Sequence, residues 1–177
     1  MEQILSIVAH NRPGVLMRVT GLISRRGYNI DSLATGATAD PEYSRITITM
    51  DTDDATIEQV TKQLAKLSEI ERIKVLHRGS SAIRSMLLMK VHAGEKQMEV
   101  LQLATAFRSH AIDVTGESMT FVNTGDEGKL KAFVNAMKRY GVIEMVQTGI
   151  VAVERGDEAL TVTSSRYEWP NMGKANA

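Results

Sequence analysis

The spacing of apolar positions changes several times along the chain, and each change marks an element. Ile4, Leu5, Ile7 and Val8 make a short apolar run closed by His10-Asn11-Arg12-Pro13-Gly14, the mark of a strand ending in a turn. From Val15 the period is helical: Val15, Leu16, Val19, Leu22 and Ile23 fall on one face, with Arg18 off the stripe. Arg25-Arg26 suits the negative end of a helix, and Gly27 stands where a left-handed residue stops one. Tyr28 to Thr38 is β-like but loosely patterned, and Asp40-Pro41 is a turn. Ile46, Ile48 and Met50 then alternate with Arg45, Thr47 and Thr49, which predicts a strand buried on one face. Asp51, Asp53 and Asp54 precede a helix whose stripe is Ile57, Val60, Leu64 and Leu67. Ile73 and Val75 alternate with Arg72 and Lys74 in a closing strand.

The resulting order is β-α-β-β-α-β, the ferredoxin-like arrangement. After Arg78-Gly79-Ser80-Ser81, which reads as a linker, the same order returns at a period of about 80 residues. It runs through a strand near Met86–His92, a helix with Val100, Leu101, Ala104 and Phe107 on one face, and strands near Ile112–Thr115 and Met119–Val122. A helix with Leu130, Phe133, Val134 and Met137 facing inward and a strand from Val142 to Val153, with a break at Gly149, complete it. The predicted fold class is α+β, two ferredoxin-like βαββαβ domains in tandem. Their predicted bounds are 1–77 and 83–157, joined by a linker at 78–82 and followed by a tail, 158–177, that holds Trp169.

Composition narrows the function classes. Lys+Arg and Asp+Glu are both 21, and no basic stretch stands out, so neither nucleic acid nor an anionic membrane is an expected partner. There is no cysteine, which excludes disulfides and thiolate metal sites. No apolar run approaches the ~20 residues of a membrane helix. Met1 leads into a strand-like run without signal-peptide features, and the expected location is the cytoplasm. His10, His77, His92 and His110 are scattered outside any metal-ligand spacing, and no nucleophile motif or phosphate-binding glycine loop is present. The acidic cluster at Asp51, Asp53 and Asp54 reads better as a helix start than as a cation site. No catalytic residue, metal ligand or cofactor site is expected in this chain.

The loop Asn11–Gly14 is the exception. It follows a strand and opens a helix, so unpaired first-turn N–H groups and the helix dipole favour an anion there. Gly14 admits close approach, and Asn11 offers both a donor and an acceptor. An amino-acid carboxylate suits such a place. The same residues also serve ordinary turn and capping roles, and Asn29 suits the left-handed geometry that follows a helix stop; local chemistry leaves both readings open.

The run His10-Asn11-Arg12-Pro13-Gly14-Val15-Leu16-Met17-Arg18-Val19-Thr20-Gly21-Leu22-Ile23, continuing through Ser24-Arg25-Arg26-Gly27-Tyr28-Asn29-Ile30-Asp31-Ser32-Leu33, closely resembles the N-terminal ACT domain of the regulatory (small) subunits of acetolactate synthase, also called acetohydroxyacid synthase. Phe107-Arg108, Ile112-Asp113-Val114, Gly128-Lys129-Leu130 with Ala132-Phe133, Thr148-Gly149 and Arg155-Gly156 agree in the second half. His10, where the family often has an acidic residue, and Ile23, where it often has an aromatic one, are minor departures. The resemblance ends near Asp157.

It implies a subunit with no catalysis of its own, which activates a catalytic large subunit and confers feedback inhibition by valine or a related branched-chain amino acid. Thiamine diphosphate, Mg and FAD are then cofactors of that partner. It further implies a homodimer through side-by-side ACT domains with the effector at their interface. Asn11, Gly14, Val15 and Leu16 would come from one protomer, and Asn29 and Ile30 from the other. The alternative is a stand-alone amino-acid-sensing ACT protein that regulates another enzyme or regulator. Neither reading fixes which branched-chain amino acid is preferred, the surface that meets the catalytic subunit, or the stoichiometry.

Overall fold

Apolar stripes and turn chemistry place the first six elements: β1 (Glu2–His10), α1 (Val15–Arg25), β2 (Ser32–Ala37), β3 (Tyr43–Asp51), α2 (Asp54–Leu64) and β4 (Ile70–Leu76). The computed structural model describes residues 1–160; Trp169 and the rest of the tail beyond 160 lie outside the described residues. The four strands form one antiparallel sheet in the order β2-β3-β1-β4. Register pairs Leu5 with Ile48 and Ile7 with Ile46, so the apolar sets of the two central strands share a face. Both helices pack on that face, with Val15, Val19 and Ile23 from α1 and Ile57, Val60 and Leu64 from α2 buried against it. Each such side chain contributes roughly 1.5–3 kcal/mol relative to exposure.

Local signals set the helix ends. Gly27 takes φ +76°, and the N–H of Tyr28 reaches back to the carbonyl of Ile23 at 3.4 Å, which ends α1 as its glycine predicts. Asp53 caps α2 by accepting the Thr56 backbone N–H at 2.6 Å. That bond, first among the causes, holds the Asp53 carboxyl below its ordinary value of 3.8. A depressed folded pKa gives stability that is present above the unfolded value and lost as pH falls through the folded one. Asp53→Ala should therefore lower the thermal midpoint clearly at pH 7, and the gap from the parent should shrink below about pH 4 in calorimetric scans.

The strand expected to be buried on one face is buried on both. Thr47 and Thr49 are only 3% and 2% exposed, on the face away from the helices. Residues 152–160 return to this first unit, Met1–Ala82. Arg45, half-buried, donates its Nη2 to the carbonyl of Ala152 at 3.2 Å, its Nη1 to that of Leu160 at 3.3 Å, and its Nε to Ser6 Oγ at 2.8 Å. Burial lowers its pKa. Lys74 pairs with Glu154 of the same returning stretch, which raises the Lys74 pKa.

The second unit, Ile83–Val151, repeats the arrangement. Its elements are β5 (Ser81–His92), α3 (Gln97–Ala106), β6 (His110–Val114), β7 (Ser118–Gly125), α4 (Glu127–Met137) and β8 (Val142–Gln147), and its strand order is β6-β7-β5-β8. The last strand, expected over Val142–Val153 with a break at Gly149, is interrupted there: β8 ends at Gln147, and β9 (Val151–Glu154) pairs separately with β5. Residues Arg78–Ser80 form a short 3-10 turn, and Ser81 already begins β5. The core holds Leu87, Met89, Val100, Ala104, Phe121, Leu130, Phe133 and Met137. Leu101, expected on the buried stripe of α3, is exposed; Val100 and Ala104 are the buried residues of the helix, and half-buried Leu103 and Phe107 pack beside them. The chain is α+β, two βαββαβ units in tandem.

Candidate functional site

The loop after β1 is held by its backbone. The Asn11 N–H donates to the carbonyl of Glu42 at 2.7 Å, and the Asn11 Nδ2 donates to that of Pro41 at 3.3 Å. Asn11 thus has a tethering role already, and its side chain remains solvent-exposed. Gly14 is the N-cap of α1 at φ +87°, with no side-chain cap, and an added Cβ would meet nothing within 4 Å. The glycine is needed there for its conformation rather than for want of space. Its carbonyl accepts the Arg18 N–H at 3.0 Å, while the N–H groups of Leu16 and Met17 meet no backbone acceptor among the described residues. Two unpaired amides thus stand at the positive end of α1, the kind of group that an anion at this loop would use.

Side chains around them divide. Val15 is 5% exposed and belongs to the core, so it offers a ligand only its backbone. Leu16 is 38% exposed and Met17 73%, and these are the apolar surfaces available at the loop. The ring of His10 lies against Tyr43, centroid to centroid 5.0 Å, and Arg18 pairs with Glu69 beside it.

Asn29 and Ile30 lie past the other end of the helix. Asn29 does not take the left-handed conformation, because Gly27 already does, so the helix stop does not explain the asparagine. Its exposed side chain donates Nδ2 to Asp31 Oδ1 at 2.8 Å. Ile30 is half-buried against the core. With 11 residues, α1 is about 16 Å long, further than one amino acid reaches. Within one chain the structure therefore brings Asn11, Gly14, Val15 and Leu16 together and keeps Asn29 and Ile30 apart from them. A cavity of about 360 Å³ in this unit lies along α2, lined by residues such as Gln3, Ile57 and His77, and includes none of the six. A site shared between two chains need not be a cavity in one.

Comparison with known proteins decides what this arrangement belongs to. The family described as the AHAS small subunit-like ACT domain matches residues 5–72, and that described as the small subunit of acetolactate synthase matches residues 84–156. The chain belongs to the acetolactate synthase small-subunit family. The isozyme 3 small subunit of Escherichia coli is 39% identical over 162 residues, covering 90% of this chain and 99% of that one. The small subunit of Mycolicibacterium smegmatis is 40% identical over 157 residues, covering 88% and 92%. The crystal structure of the Thermotoga maritima small subunit superposes with a TM-score of 0.84 at 38% identity, over 89% of this chain and 99% of that one. A small subunit of acetolactate synthase is a regulatory component and implies a catalytic large-subunit partner. Among the described residues no His, Cys, Asp and Glu group is placed to hold a metal ion, and no helix is long and apolar enough to cross a membrane.

Proposed function

We propose that this small subunit activates the catalytic large subunit of acetolactate synthase and makes it sensitive to feedback inhibition by valine or a related branched-chain amino acid. The setting is branched-chain amino-acid biosynthesis in the cytoplasm. Thiamine diphosphate, Mg and FAD reside in the catalytic partner. Two copies pair through residues 1–77, the ACT domain, and the effector lies between them. First-turn amides beside Gly14 take the carboxylate, Asn11 and the partner's Asn29 hold the ammonium, and Leu16 with the partner's Ile30 wall the branched side chain. Residues 83–157 are the C-terminal ferredoxin-like domain.

The observation that carries this reading is the separation of the two half-sites. Asn29 is exposed at one end of α1 and the unpaired amides lie at the other, so one copy supplies each half and neither completes the site alone. Binding across an interface favours one protomer arrangement over another, which is how a small contact becomes a regulatory signal. A sensor tuned to metabolite levels binds at micromolar to millimolar concentration, about −4 to −8 kcal/mol.

Mixing the chain with its catalytic subunit should raise turnover and introduce inhibition by valine, leucine or isoleucine. Calorimetric titration with each of the three identifies the preferred one. Turnover and inhibition both unchanged on mixing would overturn the proposal.

A further inference from the structure

Two stretches that carry the family resemblance, Phe107-Arg108 and Gly128-Lys129, have no part in the effector site, and in the second unit they meet. Arg84, Phe107 and Arg108, Gly125, Asp126 and Lys129 line a cavity of about 350 Å³, bringing together β5, the end of α3, the end of β7 and the start of α4. Three cations face it with one carboxylate, and that carboxylate is engaged: Asp126 caps α4 by accepting the Lys129 N–H at 2.8 Å. Arg84 donates to its neighbour's carbonyl, Ile83 O, at 2.7 Å, and Lys129 Nζ to Thr124 O at 2.8 Å, both neutral acceptors. Arg108 has no ion-pair or hydrogen-bond partner for its guanidinium among the described residues. It is also the one non-glycine described residue at positive φ, +55°.

Three further observations bear on the cavity. A Cβ at Gly125 would lie 2.7 Å from Lys129 Cδ, so the glycine lets the lysine stem cross the end of β7. Asn123, two residues earlier and on the same sheet face as Gly125, is 1% exposed, and neither its Oδ1 nor its Nδ2 has a partner. Ser109, next to Arg108, buries an equally unpartnered Oγ. Asn123 and Ser109 do not line the cavity themselves; each adjoins a residue that does, Thr124 and Arg108. The N-terminus of α4 is already met by the Asp126 cap, with Glu127 in its first turn, so the attraction for an anion rests on the three cations.

We propose that this cleft binds a phosphate-bearing small molecule. Phosphate chemistry fits better than a lone carboxylate, because three cations match a multiply charged anion rather than a single charge. The volume falls at the small end of ligand pockets, ~300–1,000 Å³, which favours a small molecule over a flat docking surface. The site is separate from the effector residues, and the inference does not depend on them.

Titration of the isotope-labelled, full-length chain with inorganic phosphate and with pyrophosphate, at constant ionic strength against sodium chloride, tests it by backbone amide shifts. Saturable shifts should centre on Gly128, Lys129 and Arg108, with pyrophosphate the tighter probe. Arg108→Gly should weaken binding about tenfold or more, the loss of one charge-assisted contact. Glycine takes φ +55° without strain, so that variant keeps its fold, and Arg108→Lys should recover part of the affinity. Shifts that chloride reproduces, or affinity unchanged in Arg108→Gly, overturn the proposal. So does a result in which phosphate gives no response while Arg108→Gly weakens association with the catalytic subunit, which would make the cleft a protein-docking surface.

Discussion

Asn29→Ala is expected to weaken binding of the branched-chain effector about tenfold or more, while activation of the catalytic subunit stays close to that of the parent chain. The side chain is exposed and its one hydrogen bond is a local one to Asp31. Surface changes of that kind alter stability by only about 0.5 kcal/mol, so the variant folds, and a lost titration signal reports on the pocket itself. Across the interface the truncated amide would leave the effector's ammonium without an acceptor in a partly desolvated place, which is where a missing hydrogen bond costs most. The comparison that decides is the inhibition curve against the activation curve. If both fall together, Asn29 serves protomer pairing or folding, and the proposed division between sensing and activating is wrong.

The residues of that site show how much a sequence carries. Gly27 and its left-handed φ, the stripe Val15, Val19 and Ile23, and the paired apolar sets of β1 and β3 were all legible, because period and turn chemistry are local. The turn at Gly14 and the helix that it opens were legible, although Val15 turned inward and left its neighbours Leu16 and Met17 as the surface. That Asn29 belongs with Asn11 was not legible from spacing. The two lie at opposite ends of one helix, and only the family resemblance, which implies a second copy, connects them.

Arg45, Thr47 and Thr49 fail for another reason. Strand alternation assigned them to solvent, yet all three are withdrawn from it, and the partner that Arg45 finds at Ala152 lies 107 residues along the chain, where nothing local announces it. Leu101 errs in the opposite direction. The helical stripe admitted it, but the face that α3 turns to the core is Val100, Leu103, Ala104 and Phe107, which leaves Leu101 at its edge.

Phe133→Ala is expected to have the largest effect on stability, about 3–5 kcal/mol, centred on the second unit. The ring is fully buried on α4. It lies 5.5 Å from the ring of Phe107 at 58° and 6.4 Å from that of Phe121 at 80°, tilted and edge-on geometries that add to simple burial. All three of the chain's phenylalanines meet here, so truncating the central one strips contacts from α3, α4 and β7 at once. A gap of this size cannot be refilled cheaply, because the neighbours that could move inward, Leu130 and Met137, are themselves packed on the same helix face. Hydrogen exchange locates the damage: protection should fall in β5, β7 and α4 and persist in β1 and β3, whose core shares none of these rings. A loss below about 1 kcal/mol, or equal loss of protection in β1 and β3, would show that the aromatic cluster does not hold a core of its own.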